Sequence, residues 1–186
     1  MTSLAIEPTA LPGVVVLRPR RFEDVRGFVS EPFSGVHFAA ANLPARFDQD
    51  THARSVGRVI RGLHFQRRPG QAKVVHVVRG AIFDVAVDLR IGSPTRGRHV
   101  AIVLDAASGA QLFIPRGLAH GYAVLGDGAD VLYKASSPYD SSEERGIAWD
   151  DPALGIAWPT REPIVSDRDR ALPRLSDLRE EDLPAA

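Results

Sequence analysis

The stretch KVVHVVRGAIFDVAVDLR, residues 73–90, decides the fold. It reads as two β-branched, strand-forming runs, 73–78 and 81–89, separated by Arg79-Gly80, a tight hairpin signal. Side chains alternate along a strand, so Phe83, Val85, Val87 and Leu89 share one face while Ile82, Asp84, Ala86 and Asp88 share the other. Two carboxylates on a mostly small, apolar face either line a barrel interior or stand on an exposed face against arginines, the commoner place for Asp. In the first run Lys73, Val75 and Val77 oppose Val74, His76 and Val78, so one of the two polar residues faces inward.

Working outward, similar runs occupy 14–17, 27–33, 58–66, 98–104, 111–115, 120–125 and 130–136, each bounded by Gly, Pro, Asp or Ser. Gly126-Asp127-Gly128 is a second hairpin signal. Strands at this spacing without long helical patterns between them predict an all-β antiparallel sandwich or barrel. Helix signals are peripheral. Residues 36–42 form two turns stopped before Pro44, and 176–182 carry Ser176 as N-cap and stop before Pro184. With no repeat, low-complexity tract or linker, residues 1–186 are expected to form one domain.

The chain has 186 residues, 44% hydrophobic and 25% charged, which is globular composition. Lys+Arg is 23 and Asp+Glu is 23, so the bulk electrostatic case for a nucleic-acid or acidic-membrane partner is gone. No apolar run approaches the roughly 20 residues that span a bilayer. Residues 1–12 lack the basic start and apolar stretch of a secretory signal, and a soluble cytoplasmic protein is expected. The absence of cysteine excludes disulfides, thiolate metal sites and cysteine nucleophiles. Only Lys73 and Lys134 are lysines; every other basic side chain is arginine. A lysine in such a chain either marks a need for a compact ammonium with a movable pKa or is chance.

Histidines stand at 37, 52, 64, 76, 99 and 120. Barrel metalloproteins take two ligands from an H-x-H strand, because alternate residues project the same way. Here that stretch reads His64-Phe65-Gln66, with no glutamate soon after. Gly109-x5-Pro115-x-Gly117-x2-His120 resembles the second cupin motif, with Val124 where Asn is frequent. A His64/His76/His120 cluster holding iron or zinc, as in a dioxygenase-like cupin, ranks below a metal-free pocket.

Longer motifs carry a more specific resemblance. Arg61-Gly62-Leu63-His64-Phe65-Gln66, Ala72-Lys73-Val74-Val75, Phe83-Asp84-Val85-Ala86-Val87-Asp88-Leu89-Arg90 and Gly92-Ser93-Pro94-Thr95 occur in order. They are followed by Ile114-Pro115-Arg116-Gly117-Leu118-Ala119-His120-Gly121-Tyr122, Leu132-Tyr133-Lys134-Ala135 and Trp149-Asp150-Asp151-Pro152. Phe22, Arg26-Gly27 and Glu31 precede them and Ser166-Asp167-Arg168-Asp169 closes the series. The pattern resembles the dTDP-4-dehydrorhamnose 3,5-epimerase family over nearly the whole chain.

That resemblance implies a cupin-type jelly roll with short peripheral helices, no metal or organic cofactor, and a homodimer. The implied substrate is a dTDP-linked 4-keto-6-deoxyhexose, whose ketone acidifies the protons at C3 and C5. Such chemistry needs a base near neutral pKa, a cation at the developing enolate and an acid on the other ring face. The resemblance assigns His64 as base, Asp169 as the carboxylate orienting it, Lys73 beside the C4 oxygen and Tyr133 as proton donor. It assigns Arg26 and Arg61 to the diphosphate, Phe22 and Tyr139 to the thymine, and Glu31 and Gln49 to the nucleoside. Thr51, His120 and Arg168 complete the substrate-binding set. Arg61 and His64 are an odd step apart, so on a regular strand they face opposite sides; Gly62 holds a bulge, or Arg61 serves the partner subunit or a structural ion pair.

Three positions depart from the family pattern: Thr51 where Asn is frequent, His76 where Arg is common, and the basic loop 67–71. Relatives that invert C5 or C3 alone use the same residues. A non-catalytic nucleotide-sugar binder retaining the pocket is the reading from another class.

Overall fold

The computed structural model describes residues 4–184. In chain order the strands are β1 (Leu4–Pro8), β2 (Val15–Pro19), β3 (Arg21–Asp24), β4 (Gly27–Ser30), β5 (Gln49–Val56) and β6 (Ile60–Gln66). They continue with β7 (Lys73–Asp88), β8 (His99–Asp105), β9 (Gln111–Ile114), β10 (Leu118–Ala135) and β11 (Glu144–Gly146). Helix α1 (Gly35–Ala40) follows β4, and α2 (Asp167–Arg170) follows β11. No helix among these residues is long and apolar enough to cross a membrane.

The two hairpins expected at Arg79-Gly80 and Gly126-Asp127-Gly128 do not exist. Strand β7 runs unbroken for 16 residues and β10 for 18, antiparallel to each other along almost their whole length. Both bend at the glycines, where the register jumps between Leu125↔Ala81 and Asp130↔Arg79. A Cβ on Gly80 would lie 2.1 Å from the Gly128 carbonyl oxygen, so the strands touch backbone to backbone at the corner. The glycine signal was real, but it marks a bend that passes a strand from one sheet to another.

This geometry makes a jelly roll. Beyond the bend, the first half of β7 pairs with β9 and the second half of β10 pairs with β5. On the near side, the second half of β7 pairs with β8 and the first half of β10 with β6. Val75, Val77, Leu112 and Val131 of one layer meet Ile82, Ala86, Leu104 and Val124 of the other, each buried. At about 1.5–3 kcal/mol per fully buried aliphatic side chain, this interior is the main source of cohesion.

The outer faces are covered as well. Val85, Val87, Leu63 and Phe65 pack beneath Ile147, Leu154 and Leu183 of the C-terminal segment. Val74 and Phe113 pack beneath Phe38 of α1. Covering on both sides explains why β7 is nearly continuously apolar. It also settles the two carboxylates: Asp84 and Asp88 are fully buried on the inward face with Ile82 and Ala86. Asp88 closes the following turn; burial opposes its ionisation, but Arg90, Thr95 and Ser93 hydrogen-bond it and hold its pKa well below the carboxylate range.

Two further expectations need correction. Residues 176–182 are not one helix but two 3₁₀ turns, Leu175–Asp177 and Glu180–Asp182. Leu178 adopts extended backbone between them, packing with Leu175 and Leu183 against the outer face, and Ser176 donates to Asp177 instead of capping. Strand β5 was missed because its inward residues, Gln49, Thr51, Ala53 and Ser55, are polar or small; the first three line a cavity, and the set gives no hydrophobic alternation.

Strands β6 and β10 approach most closely at Gly62 and Gly121. A Cβ on Gly121 would fall 2.5 Å from the Arg61 carbonyl oxygen and 3.0 Å from Gly62 Cα, both backbone atoms that cannot yield. Gly121→Ala is therefore expected to destabilise the fold by about 2–4 kcal/mol, read as a lower denaturant midpoint; a shift under about 0.5 kcal/mol would contradict this close contact.

Candidate active site

Where β6 passes β10, His120 lies opposite His64 but Tyr122 lies opposite Arg61, so β6 carries one extra residue. Gly62, with φ of 123°, accommodates that bulge. Leu63 turns outward into the apolar layer, and Arg61 and His64 both turn inward. The bulge resolves their odd spacing: both line a cavity of about 700 Å³ between the two sheets.

Each wall follows from strand parity. From β5 come Gln49 and Thr51, from the start of β7 Lys73, and from β10 His120, Tyr122 and Tyr133. Ile164 docks on the beginning of β6 through Ile60 N–H to Ile164 O (3.0 Å) and Ile164 N–H to Arg58 O (2.8 Å), which brings the next residues over the cavity. There Ser166 caps the single turn of α2, its hydroxyl accepting from Asp169 N–H at 3.1 Å. The charged run 167–170, which reads as a solvated loop, thus buries Asp169 and contributes Arg168 and Asp169 to the lining.

Asp169 Oδ1 lies 2.7 Å from His64 Nε2, and its Oδ2 accepts the Gly62 N–H at 3.2 Å. Burial raises the Asp169 pKa, but the hydrogen bond and charge of His64, with Gly62 and Ser166, outweigh it and keep the carboxyl below its ordinary range. An ionised carboxylate on Nε2 leaves His64 Nδ1 as the basic nitrogen; it lies 4.0 Å from Glu144 Oε1. On the adjacent strand, buried His120 makes a parallel arrangement, with Nε2 2.7 Å from Asp84 Oδ1.

Lys73 faces this cavity, and burial lowers its pKa to about 8 although Glu144 and Asp84 pull the other way. Tyr133 is pushed up, chiefly by burial, with Thr51 and Arg61 opposing, so its phenol stays protonated near neutrality. Arg61 is oriented by Nε–H to Ser55 Oγ at 2.8 Å, and the Tyr122 hydroxyl lies 3.1 Å from the same oxygen. Tyr139 is tied by its N–H to Gln49 Oε1 (2.6 Å) and its hydroxyl to Glu144 Oε2 (2.5 Å), and Arg168 ion-pairs with Glu144.

The cavity thus gathers His64, Lys73, Tyr133, Asp169, Gln49, Thr51, Arg61, His120, Tyr139 and Arg168. Phe22, Arg26 and Glu31 are not among its lining. Phe22 and Arg26 lie on the exposed β3–β4 hairpin, where Arg26 pairs with Asp24, and Glu31 pairs with His37. His76 is also absent: it is on the outward face of β7, opposite Lys73 and Val75, so the His64/His76/His120 cluster does not form. Among the described residues no group of three His, Asp or Glu side chains is placed to hold a metal ion. Sequence reasoning missed Glu144, which ties Tyr139, Arg168 and the His64 side together from a short strand without apolar pattern. It also missed Tyr122 and Ser55 behind Arg61, and for Asp84 it offered arginines on an exposed face where the structure gives His120.

Comparison with known proteins bears on this constellation. A family model described as dTDP-4-dehydrorhamnose 3,5-epimerase matches residues 8–177. A dTDP-4-dehydrorhamnose 3,5-epimerase of Neisseria gonorrhoeae is 46% identical over 164 residues, 88% of this chain, and the match spans 50% of that longer protein. One from Shigella flexneri is 44% identical over 163 residues, 87% of this chain and 90% of the relative. The crystal structure of dTDP-6-deoxy-D-glucose-3,5-epimerase from Legionella pneumophila, in complex with dTDP-4-keto-L-rhamnose, matches with a TM-score of 0.95 at 37% identity, over 98% of each chain.

With two lysines in the chain, ¹³C-labelled lysine should give two resolvable NMR titrations, and that of Lys73 is expected to centre at about 8. Burial penalises the ammonium, so its proton leaves at lower pH than usual. A midpoint at the ordinary 10.5 would show that Lys73 is solvated and not held in the cavity.

Proposed function

The chain belongs to the dTDP-4-dehydrorhamnose 3,5-epimerase family, and from that premise we propose that its cavity epimerises a dTDP-linked 4-keto-6-deoxyhexose at C3 and C5. The observation that carries the reading is the His64–Asp169 pair at 2.7 Å in one cavity with Lys73 and Tyr133. His64 Nδ1 takes the proton from the carbon beside the ketone, and the electron pair moves to the C4 oxygen as an enolate. Asp169, ionised and bonded to Nε2, supports the imidazolium so formed. The Lys73 ammonium faces the enolate oxygen, where a compact cation is most effective. Tyr133 returns a proton to the carbon from the other face and is recharged by solvent. Arg61 and Arg168 hold the diphosphate, while Gln49, Thr51 and Tyr139 contact the nucleoside and His120 the sugar.

Phe22, Arg26 and Glu31 receive their role from a homodimer in this reading. The β3–β4 hairpin exposes Phe22, Val25, Phe28 and Val29, an apolar surface that the chain's own layers do not cover. Inserted into the partner's cavity, it places an aromatic ring and an arginine beside the nucleotide. A binder without catalysis lacks any need for a buried lysine and a carboxylate-oriented histidine lining the same cavity, which favours the enzyme.

Deuterium exchange resolved by ring carbon tests the chemistry. Wild-type protein is expected to wash solvent deuterium into the sugar, and His64→Ala to lose exchange at both carbons by about 10²–10⁴-fold. Tyr133→Phe should reduce net epimerisation more than exchange; equal losses would remove tyrosine from the acid role. No exchange in the wild type would leave only a binder.

The pH profile follows from Lys73. Its catalytic form is the ammonium, so kcat/KM should fall as pH rises through about 8. Lys73→Arg should lower turnover by about 10²–10³-fold and remove that limb. An unchanged limb would assign it to another group.

The dimer reading predicts complementation. His64→Ala and Arg26→Ala proteins, each weak alone, should recover activity when coexpressed, because one mixed site has both residues intact. Failure to recover in demonstrated mixed dimers would return Arg26 to its own chain.

A further inference from the structure

The two lysines stand in opposite circumstances. Lys134 points outward from β10 with Nζ 2.9 and 3.1 Å from the Asp50 carboxylate oxygens and 5.0 Å from the Phe33 ring centroid. Lys73 points inward, and among the described residues it makes no hydrogen bond or ion pair. Glu144 and Asp84 act on it only through space, and each is occupied: Glu144 by Tyr139 and Arg168, Asp84 by His120. An amine inside a cavity, with no neighbour to hold its proton, is poised to act as a nucleophile. Two cationic guanidinium groups, Arg61 and Arg168, line the same cavity, and its volume of about 700 Å³ admits a ring-sized molecule with a phosphate.

We propose that Lys73 is a carbonyl-capturing residue, condensing reversibly with aldehydes that carry a phosphate, the phosphate resting on Arg61 and Arg168. The neutral Lys73 nitrogen adds to the aldehyde carbon and passes one proton to the carbonyl oxygen. The carbinolamine then gives up the second N–H proton as the hydroxyl leaves as water, so that a C=N bond replaces the C=O bond. Nothing is oxidised or reduced, and water reverses the step. The burial that lowers the Lys73 pKa to about 8 supplies free amine near neutrality, whereas the Lys134 nitrogen is engaged by the Asp50 carboxylate. Capture would close the cavity to its sugar substrate, making small phosphorylated aldehydes covalent, reversible inhibitors.

Pyridoxal 5′-phosphate is the probe. The full chain is incubated with it near pH 7.5 and treated with borohydride, whose hydride reduces the imine carbon to a stable secondary amine. Peptide mass spectrometry then locates the label. Labelling of Lys73 is expected to exceed that of Lys134 by about tenfold or more. Pyridoxal without the phosphate should label Lys73 several-fold less, and Lys73→Arg should abolish the cavity adduct. The comparison of two lysines within wild-type protein needs no variant to fold. Label spread evenly over both lysines, or concentrated on Lys134 or the terminal amine, would overturn the proposal, as would equal labelling by pyridoxal. Capture depends on the cavity alone, whereas protection by dTDP depends on the nucleotide-sugar reading. Lys73 labelling that dTDP fails to block would uphold capture and count against that reading.

Discussion

The contact between Gly62 and Gly121 governs the placement of the chemistry. Two backbones meet there with no room for a methyl group, and the extra residue that β6 accommodates rotates the strand by one position. Without that slip Arg61 and His64 would point to opposite sides of the sheet, one into the cavity and the other into the outer apolar layer. With it, His64 reaches Asp169 while Leu63 still fills the layer beneath Ile147 and Leu154. The same bulge turns the Gly62 N–H toward Asp169 Oδ2, so a single backbone feature positions the base and binds its carboxylate. A stiff framework around the bulge is necessary, and the long β7–β10 pairing provides it.

Charge is cancelled over the chain as a whole but not distributed evenly. The histidines of two imidazole–carboxylate pairs stand on adjacent strands, and Asp84, fully buried, leaves Oδ2 without a partner. Burying such groups costs several kcal/mol, which the apolar interior on either side offsets. The arrangement gains an environment in which each polar group is tuned by the others. Asp169 is kept ionised beside His64, Tyr133 is kept protonated, and Lys73 is brought close to neutrality. Glu144 is common to the last two effects, acting on Lys73 and Tyr133 through space while fixing Tyr139 and Arg168 directly.

Glycine signals at 79–80 and 126–128 illustrate how local chemistry underdetermines topology. A glycine with positive φ serves a hairpin and a sheet-crossing corner equally well, and only the partner strand distinguishes them. Strand β5 shows the complementary difficulty: its inward residues face a polar cavity, so the alternation that reveals strands in a dry core is absent. Asp169 looks like part of a solvated charged run, 167–170, until the docking of Ile164 on β6 brings it over the cavity and buries it.

The alternation within 73–90 by itself paired Asp84 with Asp88 on one face and set Lys73 against His76 on opposite faces, without deciding which face was interior. The ordered motifs identified the family and the polar residues His64, Lys73, Tyr133 and Asp169 that the cavity gathers. Strand parity and motif spacing are local properties of the chain, so they survive without coordinates. The tertiary structure alone decided that Arg61 joins His64, that His76 is turned away, that Glu144 belongs to the site and that Phe22, Arg26 and Glu31 lie outside it. Each of those outcomes depends on a register slip, a sheet-crossing bend or a docked segment. These arise from contacts between residues far apart in the chain, where close packing rather than local pattern selects the geometry.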